Sequence, residues 1–426
     1  MRLAIVVQRY GTEINGGAEL LARHVAERLA RFADVQVLTT CAHDYVTWRN
    51  EYPAGEERVN NIAVRRFPVR RTRHPREFGL RSEWVFEHEH SVADELNWLR
   101  SEGPYSPALI RHIARHEAEH DFFVFVSFRY YLAYHGARAV PGKAVLIPTA
   151  EREPAIGLSV FAPVIAGARG VVYLTPEERA MVDGITHRKG LSSVIGVGSN
   201  MPDRPEPGRF RRKFNIKRPF AIYVGRIDPN KGCAELFAHF QQYAAAYPQG
   251  LDLVLIGSTQ LDVPSHPRIR HLGYLPDEDK FDGMAAADVL IMPSPFESLS
   301  IVVLEAWGLG KPVLVNGRCD VLRGQCLRSQ GGLFYETARE FIEGLHYLDA
   351  TGPAGVILGR QGREYYQRYY TWPSVERKYR DFFERVSREP AGTAMAPLPG
   401  FVARHRRSLP PARAVLDGTP SGAVLR

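Results

Sequence analysis

Residues 288–317 read DVLIMPSPFESLSIVVLEAWGLGKPVLVNG. Two short apolar runs, 288–294 and 311–317, flank a longer apolar segment. A strand, a helix and a second strand in this order predict a parallel α/β unit, because parallel strands need a crossover that a helix usually supplies. A single carboxylate, Glu305, interrupts the apolar segment. A charge there is costly unless it is paired or binds a ligand.

The same alternation of strands and helices extends over most of the chain and predicts two doubly wound α/β domains. The predicted strands are 3–8, 35–40, 122–128, 143–150 and 170–175 in the first half, and 220–225, 252–258, 269–274, 288–294 and 311–317 in the second. The predicted organisation is an N-terminal Rossmann-like domain at 1–198 with a helical insertion at about 85–120, a linker at 199–219, a C-terminal Rossmann-like domain at 220–372, a terminal helix at 373–388 and a disordered, basic and proline-rich tail at 389–426. Two such domains would turn their strand ends, where ligands bind, toward a shared cleft.

The composition is that of a soluble globular protein, with 45% hydrophobic and 24% charged residues. No apolar run approaches the roughly 18 residues that a membrane-spanning helix needs. Arg9 interrupts the first apolar run too early for a signal peptide. The four cysteines form no CxxC pair and are too few for a disulfide scaffold. We therefore expect reduced thiols in a cytoplasmic protein.

The net charge of +8 is concentrated in part at residues 65–81, which hold seven arginines and one glutamate. Such a segment suits peripheral contact with an anionic membrane, or a phosphorylated substrate, and it is equally compatible with a solvated basic loop. No recognised RNA-binding or DNA-binding module accompanies it, so we do not expect a nucleic-acid partner.

A basic loop, YVGRIDPNKG at 223–232, follows a predicted strand and opens a helix. Arg226 and Lys231 are placed where loop side chains and a helix N-terminus converge on an anion. Two fixed cations would stabilise the charge that develops on a diphosphate leaving group as its bond to a sugar breaks. The alternative is an ordinary basic loop in which Gly232 serves the turn.

Two carboxylates, Glu297 and Glu305, are predicted to border one pocket. Glu297 lies on the loop after the strand, and Ser300 is predicted to cap the helix that begins at Ile301. Glu305 lies about one turn inside that helix, and its side chain leans back toward the N-terminus. Carboxylates accept hydrogen bonds from the vicinal hydroxyls of a sugar. The alternative is that Glu305 pairs with a neighbouring arginine while Glu297 is a surface charge.

A third candidate is the glycine-rich loop RYGTEINGGAEL at 9–20. Gly16 and Gly17 would let backbone N–H groups approach a phosphate or a sugar beneath a helix N-terminus. The loop is not a GxGxxG fingerprint, and a turn that requires glycine explains it equally well.

From Met1 to about Val386 the sequence resembles the retaining glycosyltransferases of the GT-B fold, specifically glycosyltransferase family 4. The resemblance depends on GGAE at 16–19, VGRIDPNKG at 224–232, IGS at 256–258, LGYLP at 272–276 and the E-x7-E motif FESLSIVVLE at 296–305. It implies a GT-B fold, in which two Rossmann-like domains face a central cleft and the C-terminal helix crosses back to the N-terminal domain. It also implies transfer of a sugar from a nucleotide-diphosphate sugar to a saccharide or lipid-linked acceptor, as in cell-envelope or polysaccharide biosynthesis.

The resemblance also implies roles for single residues. Arg226 and Lys231 would bind the donor diphosphate, and Glu305 would bind the nucleotide ribose. Glu297 would hold the donor-sugar hydroxyls with the backbone N–H groups of Ser298, Leu299 and Ser300. The glycine pair would lie at the donor, with Gly17 facing the phosphate and the acceptor, and the backbone near Tyr274 and Leu275 would face the base.

The family reaction proceeds by front-face attack, in which the leaving phosphate helps to deprotonate the acceptor. No cofactor is implied, and no metal ion is expected. The acidic segment DEDKFD at 277–282 is predicted to be a solvated helix face and not a cation site.

The sequence departs from the family at one position. After the strand at 143–150 the family commonly places a histidine that touches the donor sugar, whereas this chain has Glu151. His135 is a nearby imidazole on the acceptor or donor-sugar side, although a core or helix-face histidine is the more ordinary interpretation. The missing histidine leaves an alternative function open, a catalytically idle nucleotide-sugar-binding protein of the same fold.

Overall fold

The computed structural model describes residues 1–14, 16–349 and 353–390, together with Met395 and Arg413. The strands are β1 Arg2–Val6, β2 Asp34–Thr40, β3 Gly55–Val59, β4 Ile62–Phe67, β5 Phe122–Val126, β6 Ala144–Ile147, β7 Gly170–Tyr173, β8 Ser192–Val194, β9 Phe220–Val224, β10 Asp252–Ile256, β11 Ile269–His271, β12 Val289–Met292, β13 Val313–Asn316 and β14 Gly332–Tyr335. The helices are α1 Gly17–Leu29, α2 Pro75–Glu87, α3 Val92–Glu102, α4 Pro107–Arg115, α5 Tyr131–Ala139, α6 Phe161–Gly167, α7 Pro176–Thr186, α8 Pro207–Lys213, α9 Cys233–Ala246, α10 Asp277–Ala286, α11 Ile301–Gly308, α12 Asp320–Ser329, α13 Ala338–Tyr347, α14 Pro353–Tyr369 and α15 Trp372–Arg388.

The strands form two sheets. The first has the order β3-β4-β2-β1-β5-β6-β7-β8 and is parallel except for the β3–β4 hairpin. The second has the order β11-β10-β9-β12-β13-β14 and is parallel throughout. The strand order reverses at β1/β5 in the first sheet and at β9/β12 in the second. Ligands of open parallel sheets bind at such switch points, beyond the carboxyl ends of the strands.

Buried apolar runs explain why the central strands form. FFVFV in β5, FAIYV in β9 and VLIM in β12 are buried at every position, as expected for parallel strands covered by helices on both faces. The predicted α/β fold class, with two Rossmann-like sheets, is therefore confirmed.

The C-terminal helix α15 returns to the first sheet, as predicted. Phe383 of α15 lies 5.5 Å, between ring centroids, from Phe122 of β5. Gly170 in β7 makes room for this helix, because a Cβ there would lie 2.7 Å from the ring of Phe382. Glu376 forms an ion pair of 3.0 Å with Arg31 just beyond α1. The helix that follows the second sheet thus packs on the first.

Two sequence predictions differ from the structure in the connecting segments, and a third lies outside the described residues. The insertion predicted as a helical pair at about 85–120 holds three helices, and the first begins at Pro75, whose fixed φ suits a first helical turn. The linker predicted at 199–219 contains α8. Beyond Pro390 the tail predicted to be disordered lies outside the described residues, apart from Met395 and Arg413.

The acidic segment 277–282 forms the start of α10, and the prediction that it is a solvated face holds for the exposed Asp277 and Glu278 but was wrong for Asp279 and Asp282. Asp279 and Asp282 are buried and pair with α8, at 2.7 Å to Lys213 and 2.6 Å to Arg209. These carboxylates hold the linker helix against α10, because a buried carboxylate needs a cationic partner.

Candidate active site

The loop after β9 has a fixed shape. Asp228 is buried, accepts the backbone N–H of Lys231 at 3.0 Å and forms an ion pair with Arg226. Gly232 has φ +71°, and a Cβ there would lie 2.3 Å from the carbonyl oxygen of Pro293. Only glycine allows this approach at a left-handed backbone angle. The basic loop is therefore pressed against the loop that follows β12.

This contact brings Lys231 and Glu297 together. Their side chains form an ion pair with 2.7 Å between Nζ and Oε1, and the Glu297 side chain is only 13% exposed. The alternative that Glu297 is a surface charge was wrong. Burial alone would lower the pKa of the Lys231 ammonium, but Glu297 and Glu151 raise it above its usual value. The ammonium therefore keeps its charge at neutral pH.

Glu151 lies across the cleft from this pair, after β6 of the first sheet. Burial raises the pKa of Glu151 to about 7, Lys231 opposes the rise and Glu297 adds to it. Next to it, Arg152 reaches Asp320 of the second half at 2.9 Å, and Glu153 pairs with Arg129. The two halves thus place two carboxyl groups around one ammonium, and burial favours the neutral form of Glu151.

The loop between Glu297 and α11 differs from the prediction. Ser300 occupies the N-cap position, but its hydroxyl makes no cap hydrogen bond. Its φ of +65° takes it out of the extended conformation from which a serine normally caps. The Ser300 hydroxyl is buried and has no hydrogen-bond partner among the described residues. The first N–H groups of α11 lack a side-chain cap, and such groups are the usual anion ligands of a helix N-terminus.

Glu305 is buried, with 3% of the residue exposed. The hydroxyl of Ser199 donates to Glu305 at 2.7 Å, and the ammonium of Lys280 lies at 3.4 Å. Burial raises the pKa of Glu305, while Lys280 and Ser199 oppose the rise. The expectation of a paired carboxylate is met, but the partner is a lysine of α10 and not an arginine.

The two glycines of the first loop have different surroundings. A Cβ on Gly16 would lie 2.1 Å from the carboxylate of Glu19, which forms a buried ion pair of 2.7 Å with Arg9. Nothing lies within 4 Å of the corresponding position on Gly17. A side chain at Gly16 would thus displace the ion pair of Glu19 and Arg9, whereas Gly17 leaves open space at the start of α1. The preceding residue, Asn15, is outside the described residues.

The structure does not bring His135 into this group of side chains. His135 packs on the rings of Tyr131 and Tyr134, at 4.3 and 4.8 Å between centroids. Burial, together with the neighbouring charges of Arg100 and Arg138, lowers the pKa of His135 to about 4. The ordinary interpretation, a helix-face histidine, fits these neighbours better than a role beside the donor sugar.

Tyr274 and Leu275 lie on the loop between β11 and α10, and Tyr274 is 65% exposed.

Three functional neighbours were missed in the sequence, namely Lys280, Ser199 and Thr175. Thr175 has a recognisable signal, because TPEE at 175–178 is the pattern that starts a helix with a threonine cap. Lys280 and Ser199 carry no such signal.

Within residues 1–14, 16–349 and 353–390, no group of three or more His, Cys, Asp or Glu side chains is placed to hold a metal ion. No helix in the same ranges is long and apolar enough to cross a membrane. All four cysteines are buried free thiols.

Comparisons with known proteins find glycosyltransferases among the similar sequences. Residues 218–348 match the family model described as Glycosyl transferases group 1. The phosphatidyl-myo-inositol mannosyltransferase of Propionibacterium freudenreichii is 35% identical over 131 residues, 30% of this chain and 34% of the relative. The D-inositol 3-phosphate glycosyltransferase of Corynebacterium urealyticum is 23% identical over 278 residues, 57% of this chain and 65% of the relative. The first of these matches spans about a third of the relative's length.

Solved structures match over a larger share of the chain. Sucrose-phosphate synthase from Thermosynechococcus elongatus has a TM-score of 0.67 at 17% identity, over 91% of this chain and 99% of that one. HepE of Anabaena in complex with UDP-glucose has a TM-score of 0.65 at 15% identity, with the same coverage of 91% and 99%. The chain therefore has the GT-B fold, and its second half carries the segment that matches the group 1 glycosyltransferases.

Proposed function

We propose that the protein is a retaining glycosyltransferase of family 4, which moves a sugar from a nucleotide-diphosphate sugar to a saccharide or lipid-linked acceptor without a metal ion. The observation that carries the proposal is the pair Lys231–Glu297 at the switch point of the second sheet, with Glu151 facing it from the first sheet. The match of residues 218–348 to group 1 glycosyltransferases supports it.

In the proposed reaction, the cations act on the leaving group. The acceptor oxygen forms a bond to the anomeric carbon as the bond from that carbon to the diphosphate oxygen breaks, and the acceptor proton passes to the leaving phosphate. Arg226 and Lys231 would neutralise the charge that develops on the diphosphate, so no metal ion is invoked. Lys231 pairs with Glu297 in the protein alone, so the donor phosphate would compete with Glu297 for the ammonium.

The remaining proposed contacts hold the donor. Glu305 would accept hydrogen bonds from the ribose hydroxyls, and Glu297 from the hydroxyls of the sugar. The uncapped N–H groups at the start of α11 would face the donor phosphate. Gly17 would face the same phosphate from the opposite side of the cleft. The family resemblance implies further donor contacts through backbone groups. These are the backbones of Gly16, Tyr274, Leu275, Ser298, Leu299 and Ser300.

Calorimetry with UDP, GDP, ADP and dTDP sugars, followed by an assay for released nucleotide diphosphate in the presence of EDTA, tests the proposal. We expect one nucleotide sugar to bind and to release its diphosphate when a saccharide or lipid-linked acceptor is present. Binding without release for every acceptor would favour the catalytically idle sugar-binding protein.

Glu151 makes a pH-dependent prediction. Its carboxyl is neutral below about pH 7 and negative above it, and a negative charge beside Lys231 repels the donor diphosphate. Donor binding is therefore expected to weaken as the pH rises from 6 to 8. In Glu151→Gln this dependence should disappear, because the amide does not titrate. Calorimetry at several pH values, with a sugar nucleotide that itself does not titrate in this range, measures it; an unchanged profile in Glu151→Gln would contradict the assignment.

Peripheral contact with an anionic membrane through residues 65–81, on the cytoplasmic side, is also proposed. Two of the seven arginines in this segment are not available, because Arg66 and Arg73 are buried and Arg73 pairs with Glu102 at 2.9 Å. Leu80 and Trp84 on α2 are 61% and 51% exposed and would add apolar contact. Four arginines of the segment are exposed, namely Arg70, Arg71, Arg76 and Arg81.

The free thiols of the four cysteines suit a reducing compartment.

Replacing these four exposed arginines with alanine is expected to lower retention on anionic vesicles at least tenfold at physiological salt, since each basic residue near such a surface contributes about 1 kcal/mol. Co-sedimentation with anionic and with neutral vesicles measures the effect. A matched control replaces four exposed arginines elsewhere with alanine, namely Arg339, Arg360, Arg377 and Arg388. Equal retention of the two variants would count against this surface.

A further inference from the structure

The first turn of α7 contacts both halves of the protein. The hydroxyl of Thr175 donates to the carbonyl of Ser298 at 3.2 Å, directly after Glu297 in the sequence. The same hydroxyl accepts the backbone N–H of Glu178 at 3.2 Å and so caps the helix. Two residues after Thr175, Glu177 accepts a hydrogen bond from Arg328 of α12 at 3.0 Å. The start of α7 therefore joins the first sheet to the loop that carries Glu297.

Glu178, in the same turn, joins this contact to Glu151. It is 1% exposed, and its two carboxylate oxygens accept the backbone N–H groups of Ala150 at 2.7 Å and Leu174 at 2.6 Å. Ala150 is the residue before Glu151, and Thr149 before it has a left-handed φ of +49°. A strained residue persists only where its surroundings hold it. One buried carboxylate thus fixes the loop on which Glu151 lies.

Helix capping explains only part of the role of Glu178. Its carboxyl interacts with the backbone N–H of Thr175, as in a capping box, but its hydrogen bonds to Ala150 and Leu174 lie outside the helix. A buried carboxylate is costly, and no cation forms an ion pair with Glu178 among the described residues. Three ionisable groups face it, namely Glu151 from the loop after β6, the Tyr173 hydroxyl of β7 and the Tyr379 hydroxyl of α15. Burial raises the pKa of Glu178 to about 8, the N–H groups oppose the rise and Glu151 adds to it. The backbone hydrogen bonds from Ala150 and Leu174 are therefore the contacts that tie this carboxyl to the loop.

We propose that Glu178 is a positioning residue for the transfer reaction. It holds the loop of Glu151, so that the Glu151 carboxyl faces Lys231 and Glu297. This arrangement accompanies the contact of Thr175 with Ser298. This proposal rests on the proposed function. Glu178 is not expected to touch the substrate. It acts by holding the backbone of Ala150 through a hydrogen bond.

Glu178→Gln tests the proposal, because an amide presents a donor where one backbone N–H requires an acceptor. We expect kcat to fall at least tenfold, with a smaller loss of affinity for the bare nucleotide diphosphate, since most of the proposed nucleotide contacts lie in the other half. The pH at which donor binding weakens, which we assign to ionisation of Glu151, should also shift. Glu384→Gln, the same substitution at an exposed carboxyl of α15, is the control and should change neither quantity.

Hydrogen exchange provides a readout that does not depend on turnover. The amides of Ala150 and Leu174 should exchange at least tenfold faster in Glu178→Gln than in the wild type. Unchanged exchange at both amides, or normal kcat with an unshifted pH profile, would overturn the proposal. If Glu178→Gln does not fold, Thr175→Val, which removes the contact to Ser298, should show the same loss of kcat. Wild-type protein that is inactive with every donor would instead contradict the proposed function, and the exchange result would still decide whether Glu178 holds the loop.

Discussion

Lys231→Ala is expected to lower turnover by at least a hundredfold, which corresponds to about 3 kcal/mol of transition-state stabilisation. The ammonium is held by the loop geometry of Asp228 and Gly232 and stays charged beside Glu297. A cation already in place requires no reorganisation when charge develops on the leaving diphosphate. Loss of this cation should reduce kcat more than donor affinity, because its contact is strongest in the transition state. Steady-state kinetics of nucleotide release measures both quantities.

Two controls separate catalysis from folding. Lys217→Ala removes an exposed lysine and should leave turnover unchanged. Lys231→Ala also leaves Glu297 without its cation, so the double variant with Glu297→Gln should regain stability but not activity. Near-normal turnover in folded Lys231→Ala would remove this residue from the donor site.

Glu305→Ala is expected to lower turnover to a similar extent, by a hundredfold or more, through loss of nucleotide binding. The variant removes the proposed ribose acceptor and leaves Lys280, which is 17% exposed, without its buried partner. Asp277 at 3.1 Å remains as a second partner of Lys280, so the unfolding free energy should fall by up to about 3 kcal/mol. Calorimetry with the nucleotide diphosphate and chemical denaturation measure the two effects separately.

A paired substitution distinguishes the ribose contact from the structural one. Glu305→Leu combined with Lys280→Met replaces the ion pair by apolar side chains of similar size, which is often neutral or stabilising. This double variant should recover stability but still bind the nucleotide at least tenfold more weakly. Normal nucleotide affinity in the stable double variant would show that Glu305 has only a structural role.

The central strands were predictable from sequence because they are continuous apolar runs, as in β5 and β9. The hairpin of β3 and β4 was missed, since GEERV in β3 lies at the sheet edge and is mostly exposed. Helix α14 was missed because its glycines resemble a loop. Two of them are required by packing, since a Cβ on Gly359 would lie 2.1 Å from the carbonyl of Gly310, and one on Gly362 would lie 2.2 Å from Trp307.

The candidate site was predictable where the motif residues follow strands that become neighbours. Lys231 follows β9 and Glu297 follows β12, and these strands pair at the switch point. The partner of Glu305 was not predictable, because Lys280 lies in an acidic segment that resembles a solvated face. The raised pKa of Glu151 depends on how closely the two halves approach each other, and no local sequence pattern reports that distance.

The most direct test of the account is nucleotide-diphosphate release by the wild type and by Lys231→Ala, with matched UDP, GDP, ADP and dTDP sugars and with saccharide and lipid-linked acceptors. We expect acceptor-dependent release from one donor by the wild type, and at least a hundredfold less by the folded variant. Release that is equally fast in both proteins, or donor binding by the wild type with no release for any acceptor, would contradict it.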